Sequence, residues 1–174
     1  MTEISVDLVV EDDEIEAVQA LCQDWLDWHW KAYPDDWPTE GNPMDPQRFQ
    51  KILEDLPGLH ARPRGGIFLA RLDGEPVGCV MYNEADGMTA ELNRLFVREN
   101  GRGHGLGRMM LERMFEQMKS DGYKRAIFSS AKFLTHAKEM YQDAGFVDMP
   151  HPQAFPEAWR EYVYFMERRL DPSE

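Results

Sequence analysis

At 174 residues, 43% of them hydrophobic, the chain has the length of one domain over residues 1–174 and is too apolar for a disordered segment. A net charge of −13 excludes broad contact with nucleic acid or anionic membranes, which such a body would repel. Two cysteines make no disulfide framework, there is no signal-peptide pattern, and no apolar run approaches the roughly 20 residues a bilayer requires; a cytoplasmic protein is expected.

In chain order, Ile4–Val10 alternates apolar and polar residues and predicts a strand. The acids Glu11–Glu14 open a helix whose apolar positions, from Ile15 to Trp28, recur at helical spacing and which must fail before Pro34. Residues 33–46 are rich in Pro, Asp and Gly and predict a loop, followed by a short helix over Pro46–Leu56. Ile67–Leu72 and Val77–Tyr82, joined at Asp73-Gly74, read as an antiparallel hairpin. Thr89–Val97 is a further strand, Leu106–Ser120 a strongly amphipathic helix, Ala126–Ser129 a short strand, and Leu134–Ala144 a helix stopped by Gly145. A strand begins at Phe146–Asp148, and a Pro-rich loop separates it from a last strand at Tyr162–Leu170. Interleaved helices and strands give an α/β chain with a mixed sheet.

Charge is distributed unevenly. Residues 1–60 hold 15 acids against 3 Lys/Arg, whereas residues 94–125 hold 8 Lys/Arg against 4 acids. A basic island in an acidic body suggests one anionic ligand bound in one place. Within the island a strand, Glu91-Leu-Asn-Arg-Leu-Phe-Val97, leads to Gly101, Arg102-Gly-His-Gly-Leu-Gly107 and then a helix. Glycines let the backbone turn and approach a ligand, and a helix start offers unpaired N–H groups at its positive end. Together they make a phosphate cradle, to which Arg102 and Arg108 add formal charge. The loop lacks the Lys-Ser/Thr of a Walker P-loop, and its glycine spacing breaks the dinucleotide pattern G-x-G-x-x-G.

The loop does match Arg/Gln-x-x-Gly-x-Gly/Ala, and with it the chain resembles the GNAT N-acetyltransferase superfamily. Glu91–Val97 is similar to the family's fourth strand, Leu134–Phe146 with its ending Tyr-x-x-x-Gly-Phe to its last helix, and Tyr164-Phe-Met-Glu to its closing strand. The resemblance covers about residues 65–170. It implies a mostly antiparallel sheet of six to seven strands flanked by helices on both faces, and an enzyme that uses acetyl-CoA or another acyl-CoA to acylate a primary amine of a small molecule or peptide. It further implies that Leu95, Phe96 and Val97 pair with the pantetheine arm, and that the segment Arg102, Gly103, His104, Gly105, Leu106, Gly107 and Arg108 holds the pyrophosphate. Tyr141 would protonate the leaving thiolate and Glu91 would take the amine's proton, with direct attack on the thioester and no covalent enzyme intermediate. Homodimers are common in the family. The departure is Leu134, where many relatives carry an Asn that bonds the pantetheine arm; Thr135 or Ser130 could replace it, or that contact is absent.

Other readings stand beside these. Tyr141 could be a core tyrosine, Glu91 a partner for Arg94, and the whole chain a non-catalytic acyl-CoA-binding sensor or partner module. The five histidines, His29, His60, His104, His136 and His151, show no metal-ligand spacing with the cysteines, and no metal is expected. Trp30, Tyr33 and Trp37 are either core and surface rings or the lining of an acceptor pocket, which Pro150–Trp159 would close from the other side.

Overall fold

The computed structural model describes residues 1–42 and 44–170. Its elements run β1 (Ile4–Leu8), α1 (Asp12–Ala32), α2 (Pro46–Leu59), β2 (Gly66–Leu72), β3 (Glu75–Asp86), β4 (Thr89–Val97), α3 (Leu106–Ser120), β5 (Arg125–Ala131), α4 (Thr135–Asp143), β6 (Val147–Met149) and β7 (Val163–Arg169). One seven-stranded sheet has the order β1-β2-β3-β4-β5-β7-β6, and every pairing is antiparallel except β4 with β5. No helix among the described residues is long and apolar enough to cross a membrane.

Two apolar cores lie on opposite faces of the sheet. The amphipathic stripe of α3, Leu106, Met110, Leu111, Met114, Phe115 and Met118, packs with Phe128, Tyr141 and Phe146 on one face. On the other, Val18, Leu21, Cys22 and Leu26 of α1 and Phe49, Leu53 and Leu56 of α2 cover Leu69, Cys79 and Met81. Both cysteines are buried, free thiols of this second core.

Two boundaries differ most from the sequence reading. Helix α2 continues through Pro57 to Leu59 instead of stopping at Leu56. Pro57 has no N–H for the carbonyl of Leu53, one helical turn earlier. That carbonyl instead accepts from the Gln19 side-chain amide of α1 at 2.8 Å, so the missing bond is replaced across the helix pair. Strand β3 extends to Asp86, four residues past Tyr82, because Asn83–Asp86 pair with the start of β4 in a polar hairpin tip that carries no apolar alternation.

Strand β4 sets up the rest. Between the pairs Cys79–Phe96 and Met81–Asn93, the single residue Val80 of β3 opposes Arg94 and Leu95 of β4, so β4 holds one extra residue there. Arg94 takes it up at φ 52, a left-handed conformation uncommon outside glycine. The bulge switches sheet faces: Ala90 and Leu92 before it and Leu95 and Val97 after it pack into the α3 core, while Phe96 joins the other. Buried contacts hold the strained residue. The Arg94 guanidinium lies 2.6 Å from His60 Nε2 and 3.3 Å from the Met81 sulfur.

Candidate active site

The parallel β4–β5 ladder has only three rungs, Thr89–Arg125, Ala90–Ala126 and Glu91–Ile127. Beyond Glu91 the strands separate, leaving the backbone of Leu92–Val97 unpaired on the β5 side. A cavity of about 450 Å³ occupies this split. One wall is β4 from Leu92 to Val97 and the facing wall is Phe128, Ser129 and Ser130 of β5. Arg102 and Gly107 stand at one end; Met140 and Tyr141 of α4 contribute from the side.

The glycine-rich segment meets the cavity at the start of α3. Gly103 and Gly105 adopt φ 83 and 73, conformations that favour glycine. Gly105 is the N-cap and carries no capping side chain, while the first intrahelical acceptance shown, Met109 N to Gly105 O at 3.1 Å, leaves the amides of Leu106, Gly107 and Arg108 free. Gly101 is required for another reason: a Cβ there would come within 2.9 Å of Val77. The Arg102 Nε donates to the Val97 carbonyl at 3.3 Å, tying loop to strand. Free amides, the helix's positive end and an arginine, joined to an open strand edge, form a donor set suited to a diphosphate followed by an extended amide-bearing arm. Leu106 itself buries its side chain in the core, so only its backbone serves the cradle. His104 is exposed, and Arg108 pairs with Glu112 at 3.4 Å on the surface.

Tyr141 sits on the last turn of α4, 6% exposed, with its ring 3.9 Å from that of Phe128 and edge-on to Phe146. Its carbonyl accepts from Phe146 N at 3.0 Å around Gly145 at φ 97, which fixes the helix end. Burial pushes its phenol well above the ordinary range, so it keeps its proton at neutral pH. Glu91 stands on the last rung of the ladder, one residue before the cavity wall begins, and does not itself line the cavity. Burial raises its carboxyl, with Arg94 pulling the other way. Leu134 and Ser130 both line the cavity, whereas Thr135 does not.

A second cavity, of about 170 Å³, adjoins the first and shares Trp25, Met44, Ser129, Ser130 and Leu134 with it. Tyr33 and Trp37 line it from the loop after α1, and Phe155, Trp159 and Tyr162 from the Pro-rich segment. Trp30, grouped with Tyr33 and Trp37 in the sequence reading, lines neither cavity; its indole N–H donates to the Met44 carbonyl at 2.9 Å and pins the loop to α1. The sequence reading also passed over His29, which lines the second cavity at 3% exposure with neither ring nitrogen partnered among the described residues. The signal was present: Trp25 and His29 lie four residues apart on one face of α1, and Tyr33, four further on, caps its end.

His29 and His60 are both buried, and burial depresses each to about 4. The sign follows from proton linkage. Between about 6.5 and 4 the unfolded chain binds protons on both imidazoles and the folded chain does not, so stability is full above pH 6.5 and is lost as pH falls through this window. Glu91, raised by burial, works in the opposite direction. The expected result is a chain about 2–4 kcal/mol less stable at pH 4.5 than at pH 7. Urea midpoints across that range measure it, and a flat profile would show that the two rings are solvated.

A protein-family model described as the acetyltransferase (GNAT) family matches residues 22–146. The chain belongs to this family. The GNAT chain is similar to an IAA acetyltransferase of Azospirillum brasilense, 30% identical over 97 residues that cover 55% of this chain and 63% of the relative. It is also similar to the N-acetylaspartate synthetase of Danio rerio, 27% identical over 96 residues, covering 54% of this chain and 34% of that one. The chain thus spans less than two-thirds of these curated relatives. Among solved structures, an acetyltransferase from Streptococcus agalactiae superposes with a TM-score of 0.73 at 16% identity, covering 95% of this chain and 98% of that one. The PaiA N-acetyltransferase of Thermoplasma acidophilum in complex with coenzyme A gives 0.69 at 14% identity, over 96% and 99%. These likenesses show the GNAT fold, with its seven-stranded mixed sheet.

Proposed function

We propose that this GNAT chain is an acyl-CoA-dependent N-acyltransferase that moves an acetyl group from acetyl-CoA to a primary amine of a small molecule or peptide. The observation that carries the reading is the continuous cavity running from the free amides of α3, along the unpaired edge of β4, to Tyr141. Coenzyme A bound to the solved relative from Thermoplasma supports the choice of cofactor.

Backbone amides of Gly103–Arg108 hold the diphosphate, with Arg102 adding charge. The open edge at Leu95, Phe96 and Val97 receives the pantetheine arm as an added strand. Bound acetyl-CoA supplies an acyl carbon for the amine nitrogen to attack and a thiolate that departs as the carbon–sulfur bond breaks. Tyr141 gives its phenolic proton to that sulfur, and its desolvated site keeps the proton in place until then. Glu91, one residue before the cavity wall begins, takes the proton the amine sheds, directly or through water. Neither cysteine takes part, because Cys22 and Cys79 are sealed in the core on the far face of the sheet.

The test is release of free thiol from acetyl-CoA on adding amines, with coenzyme A binding measured separately by calorimetry. Binding together with acceptor-dependent release is expected. Binding without release over a broad amine panel would make the chain a sensor module, and absence of binding would remove the reading altogether.

A further inference from the structure

The second cavity bears on which amine is used. Its walls are rings: Trp25, Tyr33, Trp37, Phe155, Trp159 and Tyr162. Among the described residues no charged side chain lines it. Its volume of about 170 Å³ compares with the roughly 150 Å³ of an apolar cavity that accepts one benzene ring. Among these apolar surfaces a single polar side chain is buried and unpartnered. His29 has no bond at either nitrogen among the described residues and is ringed by Trp25, Trp30, Tyr33 and Phe133 at centroid distances of 5.2–5.8 Å. A neutral imidazole offers one donor and one acceptor, and no neighbour in the described chain fixes which nitrogen is which. The cavity opens toward the reaction site through Ser129 and Ser130, which line both spaces.

We infer that the acceptor is an arylalkylamine: an aromatic ring seated in the second cavity, a polar group on that ring bonded to His29, and a short linker that carries the primary amine past Ser129 and Ser130 into the first. This rests on the acyltransferase reading and narrows it to a substrate class. The ring enters an uncharged aromatic box of its own size. A phenol hydroxyl or indole N–H completes the imidazole that folding leaves unsatisfied. A second cationic group, as in a diamine, would find ring faces there but no carboxylate.

The probes are tyramine, tryptamine, phenethylamine, which lacks the polar group, and putrescine. With acetyl-CoA, tyramine or tryptamine is expected to exceed phenethylamine by about tenfold in kcat/KM, the usual discrimination when a buried polar group is left unpaired, and to exceed putrescine by more. In His29→Phe the tyramine-to-phenethylamine ratio falls to about one. Tyramine binding, followed by calorimetry on Tyr141→Phe protein loaded with coenzyme A, separates this inference from the one beneath it. Binding there that is lost in the Tyr141→Phe/His29→Phe double variant supports the pocket assignment even if no amine is acetylated. Preference for putrescine, no tyramine binding to protein that does bind coenzyme A, or an unchanged ratio in His29→Phe overturns it.

Discussion

Tyr141→Phe lowers kcat by about a hundredfold, while the affinity for coenzyme A stays within threefold. Positioned general acids contribute about 10²–10⁴-fold, and a thiolate, being a good leaving group, needs the lower end of that range. The structure makes this substitution clean. The phenol hydroxyl carries no hydrogen bond to the described residues, so its removal strands no partner among them. The ring keeps its packing against Phe128 and Phe146. The carbonyl of residue 141 still receives the Phe146 amide. Thiol-release kinetics beside calorimetric binding decide the matter: an unchanged kcat removes Tyr141 as the acid, and lost cofactor binding recasts it as a packing residue.

Asp121→Ala destabilises the fold by about 3 kcal/mol, which for a chain of this size lowers Tm by about 6–12 °C. Asp121 ends α3 with a carboxylate whose side chain is 4% exposed. It accepts from both terminal nitrogens of Arg62 at 2.6 and 2.7 Å, from the Tyr82 hydroxyl at 2.5 Å and from Gln117 at 3.0 Å. Its backbone carbonyl takes a further bond from Arg64 at 2.8 Å. Removing the carboxylate leaves the fully buried Tyr82 without its acceptor and Arg62 without its counter-charge. Arg62 is 36% exposed and regains water, which keeps the loss at the low end of the 3–5 kcal/mol typical of a broken buried pair. Thermal and urea unfolding measure the effect; a drop below about 1 kcal/mol would show that solvent already screens the pair.

How much of this was legible in the sequence varied with the physical source of each feature. Helix α3 was readable end to end because its burial comes from a stripe at helical spacing, and every residue of that stripe is buried. The cradle was readable because it is local: glycines, a helix start and an arginine within a few positions. The continuation of α2 through Pro57 was not, since it depends on Gln19, 34 positions from the carbonyl it satisfies. The aromatic box was readable only in part. Its rings come from α1, the loop after it and the stretch from Phe155 to Tyr162, and only folding brings these together. Trp30 and Trp37 look alike in sequence; a single indole hydrogen bond to Met44 decides which one turns away.

The extra residue at Arg94 also dictates where this chain tolerates changes of length. Exposed connecting segments away from both cavities can gain or lose a position with a local adjustment. Deleting one residue between Asn93 and Leu95 would instead put the second half of β4 out of phase, turning Leu95 and Val97 toward the helices they now face away from and Phe96 toward α3. The strand edge proposed to receive the cofactor arm and the two-sided core are therefore governed by the same single-residue offset. Relatives that share this fold are expected to conserve the spacing across that segment more strictly than the identity of the residue that fills it.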